Sequence, residues 1–180
     1  MLDEKTLQRE VIYQGKVLTL VKDEVKLPNG KSANREYCLH IGAVCVIPLL
    51  PDGNVIMEHQ YRHAHSRVFL EIPAGKLNCK DEIPLEAAKR ELAEETGAVA
   101  NKYTFLGELD TSPALLNEKI HMFLAEDITF SNQNLDDDEF LEVEKIHIDK
   151  LVDMVMQGEI KDSKTQIAIL KTKRILESRI

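Results

Sequence analysis

Gly75-Lys-Leu-Asn-Cys-Lys-Asp-Glu82-Ile-Pro-Leu-Glu86-Ala-Ala-Lys-Arg90-Glu91-Leu-Ala-Glu94-Glu95-Thr-Gly97 is the stretch on which the fold turns. From Pro84 onward it reads as one helix of about three to four turns. Pro84 suits the first turn, where its missing N–H costs nothing, and Gly97 suits a C-terminal stop. At ~100° per residue, Leu85, Ala88 and Leu92 share an apolar side that can pack on a core, and Glu91, Glu94 and Glu95 share another. On an exposed helix, such like-charge neighbours cost a few tenths of a kcal/mol each, and the side is simply solvated. In a cleft, at an effective dielectric near 20 and ~6 Å separation, each pair costs roughly 3 kcal/mol, so the cluster requires a cation with a preference for hard oxygen ligands.

Working outward, residues 9–27 alternate (Val11, Tyr13, Val17, Thr19, Val21, Val25, Leu27) around turns at Gln14-Gly15 and Pro28-Asn29-Gly30, which predicts an N-terminal antiparallel hairpin or meander. Arg35–Leu39 reads as a further strand. Gly42–Leu50 is an almost unbroken apolar run, as in a strand covered on both faces. Pro51-Asp-Gly53 then turns the chain into Asn54–Gln60, expected to be its hairpin partner. Tyr61–Ser66 is polar and reads as a loop, with His63 and His65 at the surface. Val68–Ile72 is a short strand feeding the acidic helix.

Beyond Gly97, strands are expected at Lys102–Leu109 and Ile120–Ala125, separated by a loop over residues 111–118. Ser131–Glu139 is polar and acidic. Val143, Ile146 and Ile148 carry another strand, Asp149 is expected to cap a short helix ending at Gly158, and Asp162 or Ser163 a longer one bearing Ile167, Ile169, Leu170 and Ile175. Helices at the centre and C-terminus, without regular βαβ alternation, indicate an α+β (mixed α/β) fold rather than a doubly wound sheet.

The 180 residues are enough for one well-packed domain. A net charge of −8 argues against a nucleic-acid or membrane-surface binder working through bulk electrostatics. Cys38, Cys45 and Cys79 have neither disulfide-framework nor zinc-site spacing. With no basic leader and no run of ~18 apolar residues, a cytoplasmic protein is expected.

Arg90-Glu-Leu-Ala-Glu-Glu-Thr-Gly97, preceded by Glu82 and Gly75, strongly resembles the Nudix box: glycine, glutamate, then Arg-Glu-aliphatic-x-Glu-Glu-x-Gly. One departure is a loop of six residues between Gly75 and Glu82, where the pattern has five. Counting back from Arg90 selects Glu82 and counting forward from Gly75 selects Asp81; the helical register favours Glu82. Three further features resemble the ADP-ribose and nucleoside-diphosphate-sugar pyrophosphatase branch. These are Pro113, sixteen residues past Gly97, the run Glu71-Ile-Pro-Ala-Gly75-Lys-Leu, and the tail Gly158-Glu-Ile-Lys-Asp-Ser-Lys-Thr-Gln-Ile.

The resemblance implies an α/β/α sandwich around a mixed sheet over residues 41–180, with antiparallel strands over 1–40 acting as a dimerisation and exchange region. It implies Mg²⁺-dependent (or Mn²⁺-dependent) hydrolysis of a nucleoside diphosphate sugar to a nucleoside monophosphate and a sugar phosphate. Glu91 and Glu95 are then the main metal ligands, with the Ala74 carbonyl, and Glu94 a further ligand. Arg90 orients the glutamates. Glu139 is the candidate general base, with Asp137 and Asp138 as alternatives. Arg35, Arg62, Arg67, Pro113 and Glu118 are the candidate substrate contacts, and a homodimer sharing its sites between subunits is expected. Two other functions are compatible: a housecleaning nucleoside-triphosphate or dinucleotide hydrolase, and a sensor that binds ADP-ribose without cutting it.

Overall fold

Alternation and turn chemistry at the N-terminus produce three strands, β1 (Lys5–Gln14), β2 (Thr19–Lys26) and β3 (Ser32–Leu39), paired in that order as an antiparallel meander. The computed structural model describes residues 2–135 and 139–179. The chain divides into two compact units, one of Met1–Gly42 with Asp110–Lys119, the other of Ala43–Leu109 with Ile120–Ile180. In the first, Val21 and Val25 on β2 are buried, while β1 is exposed along its whole length. Arg9 Nε and Nη2 fork onto buried Asp23 at 2.7 Å each, and the Tyr37 hydroxyl donates to the same carboxylate at 3.0 Å. The loop of this unit is stitched to β3: Cys38 N–H donates to the Leu115 carbonyl, and His40 N–H to Asn117 Oδ1.

The second unit is built around β4 (Ala43–Pro48), buried at every position. Its odd residues Ala43, Cys45 and Ile47 face one apolar cluster and its even residues Val44 and Val46 another. The helix α1 (Pro84–Thr96) covers the second cluster with Ala87, Ala88 and Leu92. On the other side lie α2 (Ile148–Met156), through Leu151 and Val155, and α3 (Ser163–Glu177), through Ala168 and Ile169. This is the expected α/β/α layering, and the α+β class is as read from the sequence. β4 pairs antiparallel with β7 (Ala74–Lys76) and parallel with β9 (Lys119–Phe130), which neighbours β8 (Ala98–Asp110). The sheet is therefore mixed.

The expected hairpin between the apolar run and the following strand does not form. β5 (Asn54–Arg62) meets the end of β4 only in an isolated Leu49–Val55 bridge. It pairs instead with β6 (Arg67–Glu71) and β10 (Leu141–His147) in a separate sheet ordered β10-β5-β6. β4 has both edges taken by β7 and β9, so the turn at Pro51-Asp-Gly53 passes the chain from one sheet to the other. Two smaller expectations also change. The α2 cap is His147, whose Nδ1 accepts from Asp149 N–H, and Ile148 opens the helix instead of ending a strand. The region after Tyr61 stays extended through Arg62 before one short 3₁₀ turn, His63–His65.

Candidate active site

Helix α1 ends as its sequence requires. Gly97 adopts φ 69°, the left-handed conformation open to glycine, and its N–H caps the Ala93 carbonyl. The loop that follows β9 returns to this helix end. Ser131 N–H donates to the Gly97 carbonyl at 2.6 Å, Asn134 N–H to the Glu94 carbonyl at 3.0 Å, and the Gln133 side-chain amide to the Glu95 carbonyl. The stretch leading towards Glu139 is thereby moored to the helix that bears the acidic residues. Asp136, Asp137 and Asp138 lie outside the described residues.

A polar cleft of about 150 Å³ is lined by Ala74, Gly75, Lys76, Asn78, Arg90, Glu91, Glu94 and Glu139. Arg90 organises its acidic wall. Nη1 lies 2.8 Å from Glu91 and 3.1 Å from Glu94, and Nη2 lies 3.3 Å from Glu82. Glu82, selected by counting back from Arg90, is thus the carboxylate that the guanidinium reaches. Its other oxygen accepts from Asn78 N–H, so the longer loop is held at both ends. Gly75 leaves room for the Glu91 carboxylate: a Cβ there would fall 2.0 Å from its carboxyl carbon and push it aside. Glu95 is 2% exposed, and its Oε2 accepts from Ala74 N–H at 2.9 Å.

The electrostatics distinguish the carboxylates of this region. Burial, reinforced by Glu58, Glu91 and Glu139, pushes Glu95 up to about 10. Burial, and then Glu139, pushes Glu58 up to about 8. Glu91 is also raised by burial, against the pull of Arg90. Glu71 goes the other way. Burial opposes its charge, yet the hydrogen bonds from Arg62 and the charge of Lys164 bring it down to about 2. Arg62 makes a fork to it, 2.8 Å at each oxygen, and buried Lys164 bonds both Glu71 and, at 3.0 Å, Asp162.

The other sequence-assigned residues are placed as follows. Arg62 is committed to Glu71. Arg67 is exposed, with its guanidinium 4.4 Å over the Phe69 ring, and does not line the cleft. In the first unit, Arg35 and Pro113 line a pocket of about 480 Å³ with Tyr37 and Leu116, and Arg35 pairs with Glu4. Glu118 accepts from Thr111 Oγ1 at 2.8 Å and lies 3.5 Å from His40. Sequence reasoning overlooked Glu58 and Lys164. The signal for Glu58 is a single acid after the wholly buried Val55, Ile56 and Met57.

A family model described as the NUDIX domain matches residues 39–166. The chain belongs to the Nudix family. A second model, described as a nucleoside diphosphate sugar hydrolase N-terminal domain, matches residues 4–37. This Nudix chain is 42% identical to an ADP-ribose pyrophosphatase of Bacillus subtilis, over 98% of its own length and 97% of the relative's. It is 38% identical to a methanol dehydrogenase activator of Bacillus methanolicus, over 94% and 92%. It is 32% identical to a GDP-mannose pyrophosphatase of Yersinia enterocolitica, over 69% of each chain. The crystal structure of an ADP compounds hydrolase matches with a TM-score of 0.87 over 99% of this chain and 97% of that one. At 22% identity that likeness shows the Nudix fold.

Among the described residues, no three His, Cys, Asp or Glu side chains form a ready metal cage. The donors nevertheless suit a hard divalent cation: all are oxygens, Glu95 is buried, Glu91 and Glu95 repel each other, and Gly75 leaves room beside Glu91. No helix among them is long and apolar enough to cross a membrane.

Proposed function

We propose that the protein is a Nudix pyrophosphohydrolase that cleaves nucleoside diphosphate sugars of the ADP-ribose class into a nucleoside monophosphate and a sugar phosphate, with Mg²⁺ as its cation and Mn²⁺ able to substitute. The observation that carries this reading is a cleft lined by Glu91, Glu94 and Glu139, with the buried carboxyls of Glu95 and Glu58 raised by burial and by their acidic neighbours. The names of two relatives, an ADP-ribose pyrophosphatase and a GDP-mannose pyrophosphatase, support the substrate class.

In this mechanism Glu91, Glu95 and the Ala74 carbonyl would hold the cation, and Glu94 would add a ligand. A bound divalent ion supplies neutralisation of the pyrophosphate charge and a more acidic water. Arg90 keeps Glu91 and Glu94 from splaying apart. Glu139 accepts the proton as the water oxygen bonds to phosphorus and the bridging P–O bond breaks; Gln60 Nε2, 3.5 Å away, steadies that carboxylate. For Arg62 to touch the diphosphate it must share its fork with Glu71. Arg35, Pro113 and Glu118 are assigned to the base or terminal sugar, and Arg67 to a peripheral contact at most. The exposed apolar residues of β1, with Val11 and Tyr13 56% and 60% exposed, fit a homodimer formed through the N-terminal strands.

The test is hydrolysis of ADP-ribose, GDP-mannose and ADP-glucose with Mg²⁺ or Mn²⁺. Monophosphate and sugar phosphate are expected from at least one. Release only from nucleoside triphosphates, or none from any, overturns the reading.

A further inference from the structure

We infer that Glu58, on strand β5 and outside the Nudix box, is a further carboxylate of the cation centre. This rests on the metal-dependent reading above. β5 alternates its faces: Val55 and Met57 point into the cluster beneath α2 and α3, and Ile56 into the cluster beneath α1. Glu58, Gln60 and Arg62 continue the Ile56 face. The two neighbours show where that face leads, since Gln60 reaches Glu139 and Arg62 reaches Glu71. Glu58 precedes them on that face and is 2% exposed. Among the described residues its Oε1 has no hydrogen-bond partner. An apolar side chain would satisfy this position at lower cost, and a structural carboxylate would be paired.

The nearby cations do not pair it. Glu71 stands directly opposite Glu58 across the β5–β6 ladder, and both Arg62 and Lys164 are bonded to Glu71. What remains around Glu58 is acidic: it is the foremost charged neighbour acting on Glu95, and Glu139 is the foremost acting on it. A buried carboxylate oxygen with no hydrogen-bond partner, on the strand face whose Gln60 reaches the proposed base, is suited to one kind of occupant, a cation entering from the cleft. Glu58 then supplies negative charge, directly or from behind Glu95, that the helix cannot supply alone.

The experiment is Mn²⁺ binding to the full chain, without substrate, by calorimetry and by electron paramagnetic resonance. It compares wild type, Glu58→Gln and Glu58→Met, with melting temperatures in EDTA and in saturating Mn²⁺. The expected result is binding weakened by about tenfold or more in both variants, the range typical of groups that support metal ligands. The Mn²⁺-induced rise in melting temperature should shrink, while the EDTA melting temperature is unchanged or higher. Wild-type affinity and an unchanged Mn²⁺-induced rise in both variants overturn the inference and leave the proposed function standing. A purely structural role would lower the EDTA melting temperature without altering that rise, and this too overturns it. Absence of Mn²⁺ binding to wild type, with nucleotide sugar present or not, overturns the proposed function, and this inference with it.

Discussion

Glu58 and Glu71 face each other in register across two adjacent strands, both buried, and their environments drive them apart: one carboxyl is held up at about 8, the other brought down to about 2. The difference lies in their partners. Around Glu71, Arg62 and Lys164 complete an ion cluster when the chain folds. Among the described residues, the carboxylates around Glu91 and Glu95 outnumber the cations, and Arg90 is shared by Glu82, Glu91 and Glu94. The first region is finished by folding. On the proposed reading, the second is completed by a bound cation, and its shortage of cations keeps the site from collapsing into an internal salt bridge.

The contrast is broken most sharply at Glu95. Glu95→Gln should lower kcat by about 10³-fold or more, with a raised Mg²⁺ requirement, because several kcal/mol of charge stabilisation are lost. Full activity at ordinary Mg²⁺ in a steady-state assay would remove the metal role. Glu139→Gln should cut kcat by about 10²–10⁴-fold with substrate affinity largely kept, as for loss of a general base; unchanged turnover passes the role to the neighbouring aspartates. On the other side of the comparison, Lys164→Met leaves Glu71 with Arg62 alone and should cost about 3 kcal/mol in urea unfolding, since one member of a buried pair is lost. A cost below ~1 kcal/mol would mean that the cluster is not finished by folding.

The pH dependence separates the two regions by sign. Glu58 and Glu95 keep protons in the folded chain above their ordinary 4.5, so an EDTA-treated sample should lose melting temperature as pH rises from about 5 towards 9. Saturating Mg²⁺ should flatten that slope. Glu71, held low, contributes stability above 4.5 that is lost as pH falls towards 2. A flat profile in EDTA would count against the raised pair. The smallest effect is expected at Lys89, whose exposed pair with Glu86 is 2.8 Å long. Lys89→Ala should shift stability by less than ~0.5 kcal/mol.

How far the chain reveals itself in advance depends on the range of the interactions involved. Helix α1 was readable to its ends, because proline at the first turn, glycine at the stop and the apolar side are all local signals. β4 was readable because a run buried on both faces shows no alternation. Its partner was not. A turn between two apolar runs looks the same whether they pair or part, and what separates them here is the arrival of β9 and β10 from far along the sequence. Arg62 and Arg67 looked equivalent as phosphate contacts; one found Glu71 and the other Phe69, choices made by β6. Glu58 was visible as an acid in an apolar strand, but its meaning depends on Glu71, Glu95 and Glu139, none within ten positions of it.

The mooring of residues 131–134 to the end of α1 has a consequence for anyone grafting specificity between relatives. That segment also closes the last turn of the helix, with Gly97 so near the Ser131 carbonyl that an added Cβ would come within 2.5 Å. A transplanted loop would have to bring its own landing points, or the helix end would fray and its glutamates would lose their aim. Swaps that include residues 94–97 with 131–134 should therefore survive where exchange of the acidic tip alone fails.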